Sequence, residues 1–144
     1  MRWKLLSENA ERTFILVFDK GDEAMSELTE FAEEQGVSAA HLTGIGAFSD
    51  VTLGYFDRDA KEYEQIPLHE QVEVLTLAGD IALEEGKPKV HAHVVVGKRD
   101  GTAHGGHLLE ARVWPTLEVV VSDSPAHLEK RFDPETGLAL VSAE

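Results

Sequence analysis

The sequence contains no cysteine, which removes disulfides, thiolate metal sites and cysteine nucleophiles together. Positive charge is scarce: 13 Lys and Arg stand against 27 Asp and Glu, for a net charge of −14 and a pI near 4.8. The cations are scattered, with Lys98-Arg99 and Lys130-Arg131 the only adjacent pairs. No basic stripe follows a phosphate backbone, and composition argues against direct DNA binding. Long hydrophobic runs are missing as well. Nothing approaches the length of a membrane span, and Met1 to Ala10 (MRWKLLSENA) lacks the apolar core of a secretory signal. A cytoplasmic protein with no membrane partner is the expectation.

What is present suits a folded domain. The 144 residues are 42% hydrophobic, enough for one compact unit over residues 1–144, without internal repeat or low-complexity tract. Phe14 to Phe18 form an apolar run short enough for a strand buried on both faces. Asp22 is placed to N-cap a helix carrying Met25, Leu28, Phe31 and Ala32 at helical spacing, with Gly36 as its C-cap. Beyond residue 38 the pattern is of short β-like runs: Leu42–Phe48, Val51–Phe56, Tyr63–Leu68, Val72–Leu83, Val90–Val96, His107–Val113 and Leu117–Val121. Asp57-Arg58-Asp59, Gly86-Lys87-Pro88 and Arg99-Asp100-Gly101 read as hairpin turns, and Phe132–Leu140 as a short returning strand or hook. One helix followed by sequential strands predicts an α+β fold, a largely antiparallel sheet packed against one main helix.

Seven histidines occur, and His91, His93, His104 and His107 crowd into one stretch. In VHAHVVV, strand alternation sends Val90, Ala92, Val94 and Val96 to one face and His91 and His93 to the other, about 6.6 Å apart. A three-residue loop at Arg99-Asp100-Gly101 places residues opposite each other when their numbers sum to about 200. His93 then faces His107, His91 lies diagonal to it, and His104 falls on the opposite face beside Val96. A two-residue loop, or a bulge at Gly105-Gly106, would shift this by one.

Three neutral imidazoles from two strands are what zinc or a similar divalent ion uses when one position is left for water or substrate. The alternative is a set of polar residues on a solvated sheet face, or a hydrogen-bonded cluster. Competition from protons sets an expected loss of metal as pH falls through about 6. Glu118, inside the apolar run Leu117–Val121, is either a carboxylate of the site or an exposed charge on an alternating strand. Gly44-Ile45-Gly46 has neither the following helix nor the third glycine of a dinucleotide fingerprint and reads as close backbone packing. His41, His69 and His127 are isolated, and Trp3 and Trp114 are core or interface aromatics.

GIGAFSDVTLGYFD, EVLTLAGDIAL and GKPKVHAHVVVGKRDGTAHGGHLLEARVWPTLEVVV together resemble the PPC (plants-and-prokaryotes-conserved) domain over roughly residues 10–128. The most specific part is the order of HxH, a DG turn, GGH and a Thr-x-Glu strand. The resemblance implies an α+β fold, a homotrimer, and a metal on His91, His93 and His107. Plant members bind A·T-rich DNA through AT-hooks, and the Arg-Gly-Arg-Pro core of a hook is absent here. Two readings of function follow. One is a trimeric, metal-containing interaction or regulatory module, with possible protein partners. The other is a metal-dependent enzyme using the open coordination position, with Glu118 and Glu110 the nearby carboxylates that could act as its base.

Overall fold

The computed structural model describes residues 1–8, 11–124 and 127–142, with side chains from residue 11 onward and at Met1 and Arg2. Among the described residues, nine strands and one helix follow in the order β1 (Arg2–Glu8), β2 (Arg12–Phe18), α1 (Ala24–Gln35), β3 (Ala39–Asp57), β4 (Glu62–Leu68), β5 (Val72–Glu84), β6 (Lys87–Gly97), β7 (Ala103–Asp123), β8 (Glu129–Asp133) and β9 (Leu138–Ser142). The α+β expectation holds. Among the described residues every strand pairing is antiparallel except a single parallel bridge between Leu83 of β5 and Glu129 of β8.

The long strands close on themselves. β3 pairs with β5, β5 with β6, β6 with β7, and β7 returns to β3. Phe48, Leu42, Leu77, Ile81 and Leu117 of these strands join one buried cluster with Phe14, Leu16 and Phe18 of β2 and Leu28 and Phe31 of α1. The helix packs on β6 and β7, and the Phe31 ring meets Phe14 edge-on at 5.1 Å between centroids, a favoured aromatic geometry.

Several sequence expectations need correction. Asp22 does not cap the helix; its Oδ2 accepts the N–H of Asp19 at 2.9 Å and closes the turn before it. Glu23, extended at φ −91°, is the cap, accepting the N–H of Ser26 at 2.7 Å and of Met25 at 3.3 Å. A third donor, the N–H of Ala111 at 3.0 Å, ties the same carboxylate to β7. Burial pushes the Glu23 pKa up, but the hydrogen bonds from Ala111, Ser26 and Met25 outweigh it and hold the group below the usual range. Gly36 ends the helix as expected, in the left-handed region at φ 61°.

β2 is buried on one face rather than two: Phe14, Leu16 and Phe18 are in the core while Ile15 and Val17 are half-buried. β3 and β7 are each a single long strand where two runs were expected. The breaks read at Ser49-Asp50 and around Trp114-Pro115 are register shifts between β3 and β7, not chain reversals. The first hairpin loop spans Arg58 to Lys61, since Asp57 pairs with Glu62. The second is Glu85-Gly86 rather than Gly86-Lys87-Pro88: both residues have positive φ, 52° and 78°, and Glu84 pairs with Lys87, as a primed two-residue turn requires. The segment expected to return as a hook is the β8–β9 hairpin.

Gly44 and Gly46 confirm the close-packing reading. A Cβ at Gly44 would lie 2.8 Å from the Glu118 carbonyl oxygen, and one at Gly46 would overlap the Thr116 carbonyl, so β7 approaches β3 only because these positions have no side chain. Arg12 donates through Nε to Asp123 at 2.6 Å and through a terminal nitrogen to the Gln35 carbonyl at 3.1 Å. That contact pairs Asp123, a buried carboxylate only 6% exposed, and ties the helix end to the sheet.

Candidate metal centre

β6 alternates as its sequence predicts, with Val90, Ala92, Val94 and Val96 buried and His91 and His93 facing outward together. The β6–β7 connection is the three-residue loop Arg99-Asp100-Gly101. The N–H of Lys98 bonds to the Thr102 carbonyl at 2.8 Å, and Gly101 turns at φ 84°. His93 therefore sits opposite His107, and His104 opposite Val96. Alternation supplies two imidazoles and the turn supplies the third.

The three rings form a triangle, with centroids 5.1 Å apart for His91–His93, 4.9 Å for His91–His107 and 4.1 Å for His93–His107. One ring nitrogen from each lies within 4.8 Å of the others. Tetrahedral zinc with bonds near 2.0–2.1 Å needs roughly 3.4 Å between ligand nitrogens, a small side-chain adjustment away. The protonation states agree with such a role. Burial, together with the charges of His93, His91 and Lys130, pushes His107 down to about 4. Burial and His91 also lower His93, against a smaller opposing pull from Asp80. At neutral pH these two rings are neutral and offer lone pairs.

Two supporting groups were not read from the sequence. Asp80, directly opposite His91 on β5, lies 3.0 Å through Oδ2 from His91 Nδ1, which leaves His91 Nε2 for the cluster and fixes the tautomer. The hydroxyl of Tyr63 stands 3.1 Å from His107 Nε2, with the two rings edge to face at 4.7 Å. Asp80 was readable in principle. The loop Glu85-Gly86 makes opposing numbers on β5 and β6 sum to the same value as 85 and 86, and 80 pairs with 91. Tyr63 carried no comparable signal, because β4 meets His107 only through the path of β3. A Cβ at Gly79 would overlap the His91 carbonyl, so this glycine lets β5 close on the backbone that carries the first imidazole.

The cluster opens into a cavity of about 490 Å³ lined in addition by Tyr63, Lys130, Leu109, Leu138 and Leu140. Glu118 is not part of it. It is exposed, opposite Val17 on β2 and Ile45 on β3, which is the exposed-charge alternative. Glu110 is also exposed, opposite Thr52, and outside the cavity lining. His127 is engaged at Nδ1 by the Ser38 hydroxyl at 2.6 Å, while His41 and His69 are exposed. Trp114 is 39% exposed with the Lys20 ammonium 3.5 Å from its ring centroid; the side chain of Trp3 lies outside the described residues. Among the described residues no helix is long and apolar enough to cross a membrane.

Solved structures share this architecture over nearly the whole chain. A plant- and prokaryote-conserved protein from Pyrococcus horikoshii is 30% identical with a TM-score of 0.86, covering 99% of this chain and 96% of its own. A metal-containing protein from Archaeoglobus fulgidus is 37% identical with a TM-score of 0.85, covering 99% of each chain. A candidate DNA-binding protein from Bacteroides thetaiotaomicron is 27% identical with a TM-score of 0.88, covering 97% of this chain and 96% of its own. No curated protein matches the sequence. Residues 6–125 match the Plants and Prokaryotes Conserved (PCC) domain; with the HxH strand, the GGH strand and the turn between them in register, the chain belongs to that family.

Proposed function

We propose that this protein is a metal-binding interaction or regulatory module in which His91, His93 and His107 hold one divalent ion, zinc, per chain. The observation that carries the reading is the convergence of three ring nitrogens within 4.8 Å of one another, backed by the Asp80 contact that orients His91. Neutral, hydrogen-bonded imidazoles with no thiolate available select a borderline ion such as zinc. The metal-containing description of the Archaeoglobus protein supports the same reading. When bound, the ion would supply a Lewis-acid position open to the cavity; the chain's part is to hold it with neutral rings and to wall the space beside it.

The module is proposed to work as a cytoplasmic homotrimer. Ile45, Leu75 and Val95, on three neighbouring strands, are 61%, 54% and 37% exposed, an apolar outer patch of the kind that association covers. Duplex DNA is not a partner in this reading. The charge of −14 would triple on trimerisation, and Lys98 is already paired with Glu70 at 2.6 Å. A second reading, a metal-dependent enzyme, draws on the cavity beside the cluster and the Tyr63 hydroxyl within it.

Elemental analysis of protein purified without chelator tests the proposal. The expected result is one zinc per chain, with light scattering giving three times the 15.8 kDa chain mass. A chain that contains no metal and takes up none would reduce the cluster to hydrogen-bonded histidines and remove the enzyme reading with it.

A further inference from the structure

We propose that the cavity over the histidine cluster is a binding site for small aliphatic monocarboxylates, and that Lys130 is the residue that selects them. This rests on the metal reading above and adds to it the class of ligand. The argument starts from an ion pair that is not saturated. The Lys130 side chain is only 6% exposed, yet its ammonium approaches Asp80 Oδ1 at 3.4 Å without a hydrogen bond. Asp80 Oδ1 is itself buried and without a hydrogen-bond partner among the described residues. The other oxygen of that carboxylate is committed to His91. An ammonium has three donors, and burying one is costly unless they are used. By contrast, Lys98 meets Glu70 at 2.6 Å.

Lys130 lines the same cavity as the three imidazoles, and its charge is among the influences that lower His107. A divalent ion on the histidines and the Lys130 ammonium would thus face one space, with the Asp80 carboxylate behind them and the oppositely charged Glu84 and Lys89 both on its wall. An anion fits that imbalance. Its class follows from the remaining walls. Leu109, Leu138 and Leu140 are apolar, and Glu84 and Lys89 offset each other in charge, which suits a singly charged head with an aliphatic tail. A phosphate is disfavoured: among the described residues no arginine lines the cavity, the net charge of −14 opposes a dianion, and phosphate sites are built from arginine forks or from amide nests. About 490 Å³ lies within the usual range for small-molecule sites.

The test uses the full chain loaded with zinc for calorimetry and with cobalt(II) for visible absorption, and three probes: butyrate, its neutral isostere butyramide, and inorganic phosphate. Butyrate is expected to bind once per metal and to change the cobalt spectrum. Butyramide and phosphate are expected to bind about tenfold more weakly or worse, as loss of a charge-assisted bond implies. Lys130→Met should weaken butyrate by about tenfold or more at unchanged zinc content, and Lys130→Arg should keep most of the affinity. If the Met variant does not fold, the contrast between butyrate and butyramide on the unaltered protein decides the matter alone. Metal-replete protein that ignores butyrate, binds butyramide as well, prefers phosphate, or is indifferent to Lys130→Met overturns the carboxylate site and leaves the metal site standing. A chain that holds no metal overturns both.

Discussion

The two faces of β6 differ in everything except the strand that carries them. Val90, Ala92, Val94 and Val96 are between 0% and 5% exposed in the core, while His91, His93 and Val95 turn outward, two of them into the imidazole triangle. One face contributes hydrophobic burial and the other contributes electron pairs. Because the strand is paired to β5 along its length and to β7 from His93 to Gly97, its backbone is held by ladder hydrogen bonds rather than by the outward side chains. Stability and chemistry are therefore separable by mutation at neighbouring positions.

The sharpest way to break that comparison is on the outward face. His93→Ala should remove stoichiometric metal entirely while secondary structure persists, read by elemental analysis beside circular dichroism; a full metal complement would contradict the cluster assignment. On the inward face, Val96→Ala removes two methyl groups from a fully buried site. It should cost about 2–3 kcal/mol in denaturant unfolding of the metal-free chain and leave metal stoichiometry unchanged. Behind the outward face, Asp80→Ala should weaken zinc by about tenfold to a hundredfold in chelator competition, the usual effect of losing the partner that orients a ligand histidine. An unaltered affinity would make the Asp80–His91 contact irrelevant to the site.

A smaller effect comes from protons. His107 is lowered to about 4 by burial and by the neighbouring charges, and His93 is lowered for similar reasons, whereas an unfolded histidine takes its proton near about 6.5. Between those values the unfolded chain binds more protons than the folded one, so the metal-free protein loses stability as pH falls from about 6.5 towards 4. Above that window these groups contribute no pH dependence. Metal release is displaced to lower pH than the ~6 expected of an unperturbed imidazole, because the folded His107 and His93 take protons less readily, and parallel zinc titrations against pH would show it. The smallest expected effect is at His104, which pairs with Val96 outside the cluster: His104→Ala should leave both metal content and the pH profile as they were.

The histidine triangle was legible because it needs only two local facts, alternation along β6 and the length of one glycine-containing turn. The support behind it is hidden, because Gly86-Lys87-Pro88 carries the stronger turn chemistry while the turn itself is Glu85-Gly86. With Glu85-Gly86 as the loop, Asp80 falls opposite His91; with Gly86-Lys87-Pro88 it does not. β1 went unread, since RWKLLSE alternates weakly and becomes a strand by pairing with β2. The unbroken lengths of β3 and β7 were hidden for a different reason. A bulge and a chain reversal use the same small and polar residues, and only the partner strand distinguishes them. Tyr63 reaches His107 through the closure of the sheet, a property of the whole path rather than of any segment.

The parallel bridge between Leu83 and Glu129 has one more implication. With the N–H of Leu83 on the Leu128 carbonyl at 2.7 Å, it is the only strand pairing among the described residues between the β8–β9 hairpin and the rest of the sheet, whereas β6 is laddered to β5 along its length and to β7 from His93 to Gly97. Hydrogen exchange should therefore divide the cavity into two cooperative units, a slow floor bearing the imidazoles and a faster wall bearing Lys130, Leu138 and Leu140. Substitutions in that wall would reshape the mouth of the cavity without disturbing the imidazole triangle beneath it.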